Sequence, residues 1–366
     1  MVVFALALFG VVPMRGEQCA LGAATSFDFP GAPQSIAAAD LNRDGRIDLA
    51  VAGAASIAVF LGNGSGGFVA GASVFSPNYF DQILIADVNG DGKPDLAAVS
   101  ELKGLTILLG RGDGTFAEPA FFTAGARPIA LALGDFNADG KLDAVLANFN
   151  SSDISFLFGD GAGGFGAPQN LDLGNAQPQS LAVGDFDRNG TIDIALSAAG
   201  VLEIGFILIG ADGNISPETL PVNWPPHLLM ATDIDGDGIT DLAMTNHSGS
   251  WVSVFRFSQT GGVGAVIDTR GASANGIAIA DFDGDGKRDV VLSDANEPRI
   301  VILPGSGDGT FGTPSYRASG TGPFGLATGD FNGDGRPDLA VANLLSDSVS
   351  VFVNTCPSSR RRAVRR

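Results

Sequence analysis

The sequence of 366 residues has few of the side chains on which enzymes and transition-metal sites depend: two cysteines, two histidines and two tryptophans. Zinc and copper take mainly cysteine and histidine ligands, so this scarcity argues against a chain built around either metal. The sequence also has no nucleophile elbow and no phosphate-cradling loop. We therefore expect a protein that is not an enzyme.

Basic clusters and membrane-length apolar runs are also missing. Lysine and arginine number 21 against 40 acidic residues, and the formal net charge is −19. The only basic cluster is the C-terminal tail, residues 357–366, so we expect no nucleic-acid partner. The apolar run "VVFALALFGVV" (residues 2–12) is too short to span a membrane but suits the core of a secretion signal. We expect residues 1–22 to be a leader, no transmembrane segment, and a secreted or cell-surface protein.

The sequence does contain seven copies of a nine-residue acidic run, 47 to 50 residues apart. Position 1 is always Asp, position 3 Asn or Asp, position 5 Asp or Asn, position 6 Gly and position 9 Asp. We number these runs loops 1 to 7; they start at Asp40, Asp87, Asp135, Asp185, Asp233, Asp281 and Asp330. A repeat of this length predicts an array or a propeller.

The spacing of oxygen donors in the loops suits calcium, which takes six to eight oxygen ligands. Side chains at positions 1, 3, 5 and 9 and the main-chain carbonyl at position 7 can converge on one ion, and glycine at position 6 permits the turn. The predicted ligand residues are Asp40, Asn42, Asp44, Arg46 and Asp48; Asp87, Asn89, Asp91, Lys93 and Asp95; Asp135, Asn137, Asp139, Lys141 and Asp143; Asp185, Asp187, Asn189, Thr191 and Asp193; Asp233, Asp235, Asp237, Ile239 and Asp241; Asp281, Asp283, Asp285, Lys287 and Asp289; and Asp330, Asn332, Asp334, Arg336 and Asp338. Seven calcium ions would bring the net charge to about −5, so the acidity does not indicate a basic partner.

An EF-hand and a plain turn are the two alternatives to a propeller calcium loop. An EF-hand needs Glu at position 12 and flanking helices, whereas position 12 is never Glu here and the flanks are short apolar runs such as "DLAVA". A plain turn rich in Asp, Asn and Gly would need no metal. Seven copies with Asp at position 9 each time favour the metal site.

Each repeat also predicts four short strands, with a glycine-rich turn such as "GRGDGTF" (residues 110–116) before the fourth strand. Four strands in each of seven repeats predict an all-β, seven-bladed propeller. Alanine, valine and glycine dominate the strand before each acidic loop, which suits the innermost strand of a blade. Blades 4 and 5 have altered turns, "GADGNI" and "SQTGGV", which lack the usual Phe.

The paired signatures, an FG-containing turn and D-x-N-x-D-G-x-x-D, resemble FG-GAP and VCBS repeats over residues 24–354. Such repeats form the propeller of integrin α chains and of many bacterial extracellular proteins. The resemblance implies a calcium-stabilised propeller, here residues 23–356, used for adhesion or for binding a protein or carbohydrate ligand. It does not imply one biochemical activity.

The ring closure is also predicted by the sequence. Blade 7 stops at Asn354 without a fourth strand, and the missing strand is "TSFDF" (residues 25–29). The two cysteines, Cys19 and Cys356, lie just outside these strands, so antiparallel pairing would bring them together as a disulfide. The alternative is that two free thiols lie there by chance.

A ligand site is predicted on the face opposite the acidic loops, in blade 5. Trp224, His227, His247 and Trp251 include every tryptophan and histidine of the chain. Aromatic rings beside amides suit sugar or peptide ligands, although the tryptophans could simply pack between blades. The expected function is a monomeric binding or adhesion module, and the alternative is a secreted lyase or hydrolase acting on polysaccharide.

Overall fold

The computed structural model describes residues 20–54, 56–75, 79–246 and 249–355, and the regular secondary structure of these residues is entirely β. Strand β1 (Thr25–Asp28) precedes the first repeat. Blades 1 to 3 consist of β2 (Ser35–Ala39), β3 (Asp48–Ala52), β4 (Ser56–Gly62) and β5 (Phe68–Phe75); β6 (Phe80–Ala86), β7 (Asp95–Ser100), β8 (Gly104–Leu108) and β9 (Ala120–Phe122); and β10 (Pro128–Gly134), β11 (Asp143–Asn148), β12 (Asp153–Leu157) and β13 (Gln169–Asp172).

Blades 4 to 6 follow the same order of strands. They consist of β14 (Gln177–Gly184), β15 (Asp193–Ala199), β16 (Glu203–Ile209) and β17 (Ile215–Pro221); β18 (Pro226–Thr232), β19 (Asp241–Asn246), β20 (Trp251–Phe257) and β21 (Val263–Arg270); and β22 (Ala274–Ala280), β23 (Asp289–Asp294), β24 (Arg299–Leu303) and β25 (Ser315–Ala318). Blade 7 contains β26 (Pro323–Gly329), β27 (Asp338–Asn343) and β28 (Ser348–Phe352), with β1 as its fourth strand.

The four strands of every blade are antiparallel neighbours, and the strand before the acidic loop lies at one edge. These edge strands contact one another around the ring: β2 contacts β6 and β26, and β14 contacts β10 and β18. They are therefore the innermost strands, as their small residues predict. The seven-bladed propeller is confirmed.

The blades are held together by apolar layers between neighbours. The second strand of the blades is buried along its length, as in β3, β11 and β27. One layer combines Val145 of blade 3 with Ile194 of blade 4, and equivalent clusters lie between the other neighbouring blades. Because a single sheet has two faces to cover, each blade depends on both neighbours for its core.

The N-terminal strand closes the ring. β1 pairs antiparallel with β28, with Thr25 opposite Val351 and Asp28 opposite Ser348. Further out, Leu21 is buried in the layer between blades 6 and 7 and pairs with Asn354. This confirms that residues from both ends of the propeller complete blade 7. The described part of the chain contains no helix that could cross a membrane.

Cys19 and Cys356 both lie outside the described residues, and their disulfide stays a prediction. Gly22 N donates to Val353 O at 2.8 Å and Thr355 N donates to Ala20 O at 3.3 Å. The described chain is therefore paired antiparallel as far as Ala20 and Thr355, the residues next to the two cysteines in the sequence.

We expect no free thiol in the exported, non-reduced protein and two after reduction in denaturant. Closing so long a loop is expected to stabilise the fold by roughly 2–4 kcal/mol, so reduction should lower the melting temperature. Thiol titration together with a melting curve tests this. Two free thiols in protein that was never reduced would contradict the prediction.

Candidate functional site

All seven acidic loops have the same local hydrogen-bond scaffold. In loop 6, Asp281 accepts the main-chain N–H groups of Asp285 and Gly286, at 3.1 and 2.9 Å. Asp283 Oδ1 also accepts from Asp285 N at 3.0 Å, and Asp285 Oδ1 accepts from Lys287 N at 2.9 Å. The other six loops repeat these bonds. The side chains at positions 1, 3 and 5 thus curl the backbone around one point.

Two positions of each loop adopt a left-handed backbone. Glycine at position 6 has φ values such as 83° at Gly45, as the sequence predicts. Position 4 is left-handed as well, although it holds Arg43, Ala138 and Arg188 in three loops, with φ of 62°, 58° and 64°. A side chain there costs about 1 kcal/mol, so position 4 is a constraint that the sequence pattern did not reveal.

The aspartate at position 9 has a structural role that the sequence analysis missed. Asp143 is completely buried; its Oδ2 accepts from Phe136 N at 3.0 Å and its Oδ1 from Gly159 N at 2.8 Å. The same two bonds recur in every loop. Each position 9 carboxylate therefore ties the start of the loop to the end of the third strand.

Burial of these carboxylates is electrostatically costly without a cation. Burial raises the pKa of Asp241, Asp289 and Asp338 to about 6, although main-chain hydrogen bonds oppose the shift. It also raises the pKa of the other four position 9 residues, namely Asp48, Asp95, Asp143 and Asp193. Neighbouring aspartates raise these pKa values further. A bound divalent cation would stabilise the ionised form.

The residues present fit a hard cation. Carboxylate oxygens lie within 4.8 Å of one another in three loops. These clusters are Asp185, Asp187 and Asp193; Asp233, Asp235 and Asp241; and Asp281, Asp283 and Asp285. Two oxygens on one calcium ion are at most about 5 Å apart, so these clusters could hold it. The remaining loops have Asn at position 3, whose amide oxygen can serve the same purpose.

Position 7 provides a counter-ion in most loops, and its main-chain carbonyl stays a predicted ligand. In five loops a Lys or Arg at this position pairs with the position 5 carboxylate. These basic residues are Arg46, Lys93, Lys141, Lys287 and Arg336. The pairs are largely solvent-exposed, so each contributes little to stability.

The loops also carry contacts between blades. Gly114 N, in the glycine turn of blade 2, donates to Leu41 O in loop 1 at 3.2 Å, and Gly66 N donates to Phe331 O in loop 7 at 2.9 Å. Blade 7 has no glycine turn, and Asn354 replaces it: its Nδ2 donates to Phe282 O in loop 6 at 2.7 Å. A change at a loop is therefore transmitted to the next blade.

The predicted ligand residues on the opposite face are only partly brought together. Trp224, before blade 5, and Trp251, at the start of β20, stack with ring centroids 5.6 Å apart and planes at 12°. Both are half-buried. His227 instead lines the mouth of the central channel, with Nδ1 3.2 Å from Ala274 O of blade 6. His247 lies outside the described residues.

The channel mouth is a cavity of about 450 Å³ lined by the first residues of inner strands from all seven blades. Asp81 is the carboxylate in its lining. Burial raises the pKa of Asp81 to about 6, while Arg127 opposes the shift and Glu101 adds to it. The sequence analysis did not single out this residue, because nothing local distinguishes it.

Comparison with known proteins agrees with this architecture. No curated protein sequence matches the chain. Among solved structures, the chain is similar to one in the crystal structure of BBS1N in complex with ARL6DN, soaked with lead: TM-score 0.65, 12% identity, 93% of this chain and 98% of that one. At this identity the similarity concerns the fold alone.

The sequence model of the FG-GAP-like repeat matches five stretches in two overlapping runs: residues 40–98, 87–146 and 135–196, and residues 233–292 and 281–341. Each stretch runs from one acidic loop to just beyond the next. The matches leave out residues 197–232, which contain the altered turn of blade 4. With most of its length matched, the chain belongs to the FG-GAP-like repeat family.

Proposed function

We propose that this chain is a calcium-stabilised propeller that acts as a binding or adhesion module outside the cell. The observation that carries the proposal is the sevenfold scaffold of the acidic loops, each closed by a buried aspartate that is costly to ionise without a cation. Side-chain oxygens at positions 1, 3, 5 and 9 would hold the ion. When bound, calcium would neutralise the buried charge and fix the loop against the neighbouring blade.

The extracellular location rests on the sequence and on calcium chemistry. Residues 2–12 suit a secretion signal, and the two cysteines suit an oxidising compartment. Calcium sites of extracellular modules have dissociation constants of about 0.1–1 mM. High-affinity sites are therefore not required there. Weak sites at many loops are compatible with that concentration.

The proposed ligand surface is the stacked pair Trp224 and Trp251. Half-buried indoles offer a large, rigid apolar surface at a low cost in side-chain entropy, which favours carbohydrate rings or peptide aromatics as ligands. The loops on this face can vary without cost to the core. A glycoside hydrolase of the usual kind would need a pair of carboxylates at its site, and among the described residues that line the channel mouth Asp81 is the single carboxylate. We propose binding instead of catalysis.

A glycan and peptide array, probed with and without calcium, tests the proposal. We expect Trp224→Ala to abolish binding to whatever the wild type captures, because it removes half of the aromatic surface. Calcium-dependent melting should be unchanged, since Trp224 lies on the face opposite the loops. Tyr316→Ala, which removes an exposed ring from the outer strand of blade 6, is the matched control and should bind normally. Equal binding by wild type and Trp224→Ala would contradict this ligand surface.

A further inference from the structure

Arg256 is an exception to the repeat. It lies on β20, directly before the residue whose N–H binds the position 9 carboxylate of loop 5. The equivalent residues of the other blades are all apolar: Leu61, Leu109, Phe158, Leu208, Pro304 and Val353. A charged residue at a position that is otherwise apolar needs a specific partner.

The partner is a predicted calcium ligand. Arg256 Nη2 forms an ion pair with Oδ2 of Asp235, the position 3 residue of loop 5. The Asp235 side chain is only 3% exposed, and the stem of Arg256 lies against Gly309 of blade 6. Within the described residues, neither Asp235 Oδ2 nor Arg256 Nε has a hydrogen bond. The ion pair with Arg256 is therefore the polar contact of Asp235 Oδ2 among the described residues.

Loop 5 differs from most other loops in which residue supplies its positive charge. Position 7 is Ile239, so this loop, like loop 4 with Thr191, has none of the exposed position 5 to position 7 pairs found in the other five loops. In loop 5 the positive charge comes instead from Arg256 on β20, which pairs with the buried carboxylate of Asp235. Asp235 also belongs to the cluster with Asp233 and Asp241 that could hold a metal.

We propose that Arg256 is a built-in counter-cation of loop 5, which calcium must displace from Asp235 in order to bind. This inference rests on the proposed function. A single positive charge about 5 Å from a divalent ion, at a dielectric constant between those of protein surface and water, weakens binding by at least about tenfold. Loop 5 would therefore fill at a higher calcium concentration than loop 6.

The displaced guanidinium has another partner available. Asp308, in the glycine turn of blade 6, already interacts electrostatically with Arg256. A cavity of about 460 Å³ separates loop 5 from loop 6 and is lined by Asp235, Lys287 and Ser306, among others. Calcium binding would thus exchange an ion pair within blade 5 for one that joins blades 5 and 6.

Loop 6 is the internal comparison. Loops 5 and 6 both carry Asp at positions 1, 3, 5 and 9, but Pro304 stands in blade 6 where blade 5 has Arg256. The cation of loop 6, Lys287, pairs with a carboxylate that is 37% exposed, so water screens that pair far more than the buried pair of loop 5. Native mass spectrometry of the full chain at stepped free calcium can identify each loop by the ion lost in a position 1 variant. Asp233→Ala reports on loop 5, and Asp281→Ala reports on loop 6.

As free calcium is raised, Asp281→Ala should begin to bind one ion fewer than the wild type when loop 6 fills, and Asp233→Ala when loop 5 fills. We expect the first difference to appear at a calcium concentration at least tenfold below the second. Arg256→Met, which keeps the apolar stem, should bring the two concentrations together. Arg256→Lys, which keeps the charge, should leave them apart and serves as the second variant. Arg188→Leu is the control, because Arg188 in loop 4 binds Gln259 and not an aspartate.

Three results would overturn the inference. Loops 5 and 6 filling together in the wild type would show that Arg256 does not compete with calcium, while leaving the proposed function intact. Unequal filling that persists in Arg256→Met would assign the difference to another cause. If no ion bound at any loop, the proposed function and this inference would fail together.

Discussion

Removal of calcium by excess chelator is expected to lower the melting temperature of the full chain by roughly 10 °C. A ligand that binds only the folded state at 10 times its Kd stabilises it by about 1.4 kcal/mol, and seven such sites add up to about 10 kcal/mol. A domain of this size gains about 1–2 °C for each kcal/mol. The buried carboxylates at position 9 make the metal-free state costly, because burial has already raised their pKa values.

The measurement is a thermal melt in chelator and in millimolar calcium, with magnesium as the comparison ion. Magnesium requires near-ideal octahedral geometry and keeps its waters, so it should restore much less stability. Asp281→Ala should bind one ion fewer and leave the other sites near normal. Melting curves that coincide in chelator and in calcium would refute a calcium-stabilised fold.

Asp143→Ala is expected to destabilise the protein by about 3–5 kcal/mol, even in chelator. It leaves the N–H groups of Phe136 and Gly159 buried without partners, and each such orphan costs about 1–3 kcal/mol. Asp139→Ala is the matched control from the same loop. Asp139 is a predicted ligand on the exposed side of the loop; its carboxylate accepts the N–H of Lys141 and pairs with the Lys141 side chain, and both contacts lie within the loop.

Denaturant unfolding in chelator and in calcium separates the two roles. In chelator, Asp139→Ala should lie within about 1 kcal/mol of the wild type, because exposed pairs contribute little. In calcium, both variants should lose one ion. Equal destabilisation by the two variants in chelator would mean that the buried carboxylate is a ligand only and not a structural tie.

The sequence by itself determined the fold, the seven loops and the closure of the ring. Hydrogen bonds within each acidic loop join residues at most seven positions apart, as between Phe136 and Asp143, so nine contiguous residues encode the turn. The four strands of a blade followed from the apolar runs and turns of each repeat, and the number of blades from the seven loops. The strand missing after Asn354 is supplied by "TSFDF".

Tertiary structure decided the features whose partners are distant in sequence. Asp143 meets Gly159 N across 16 residues, Asn354 reaches Phe282 O across 72, and Arg256 reaches Asp235 from a strand beyond the loop. Composition grouped Trp224, Trp251 and His227 as one site, but the inner strand turns His227 to the channel while the indoles stack further out. Local pattern encodes local hydrogen bonds, whereas the direction in which a side chain is buried depends on which blade lies beside it.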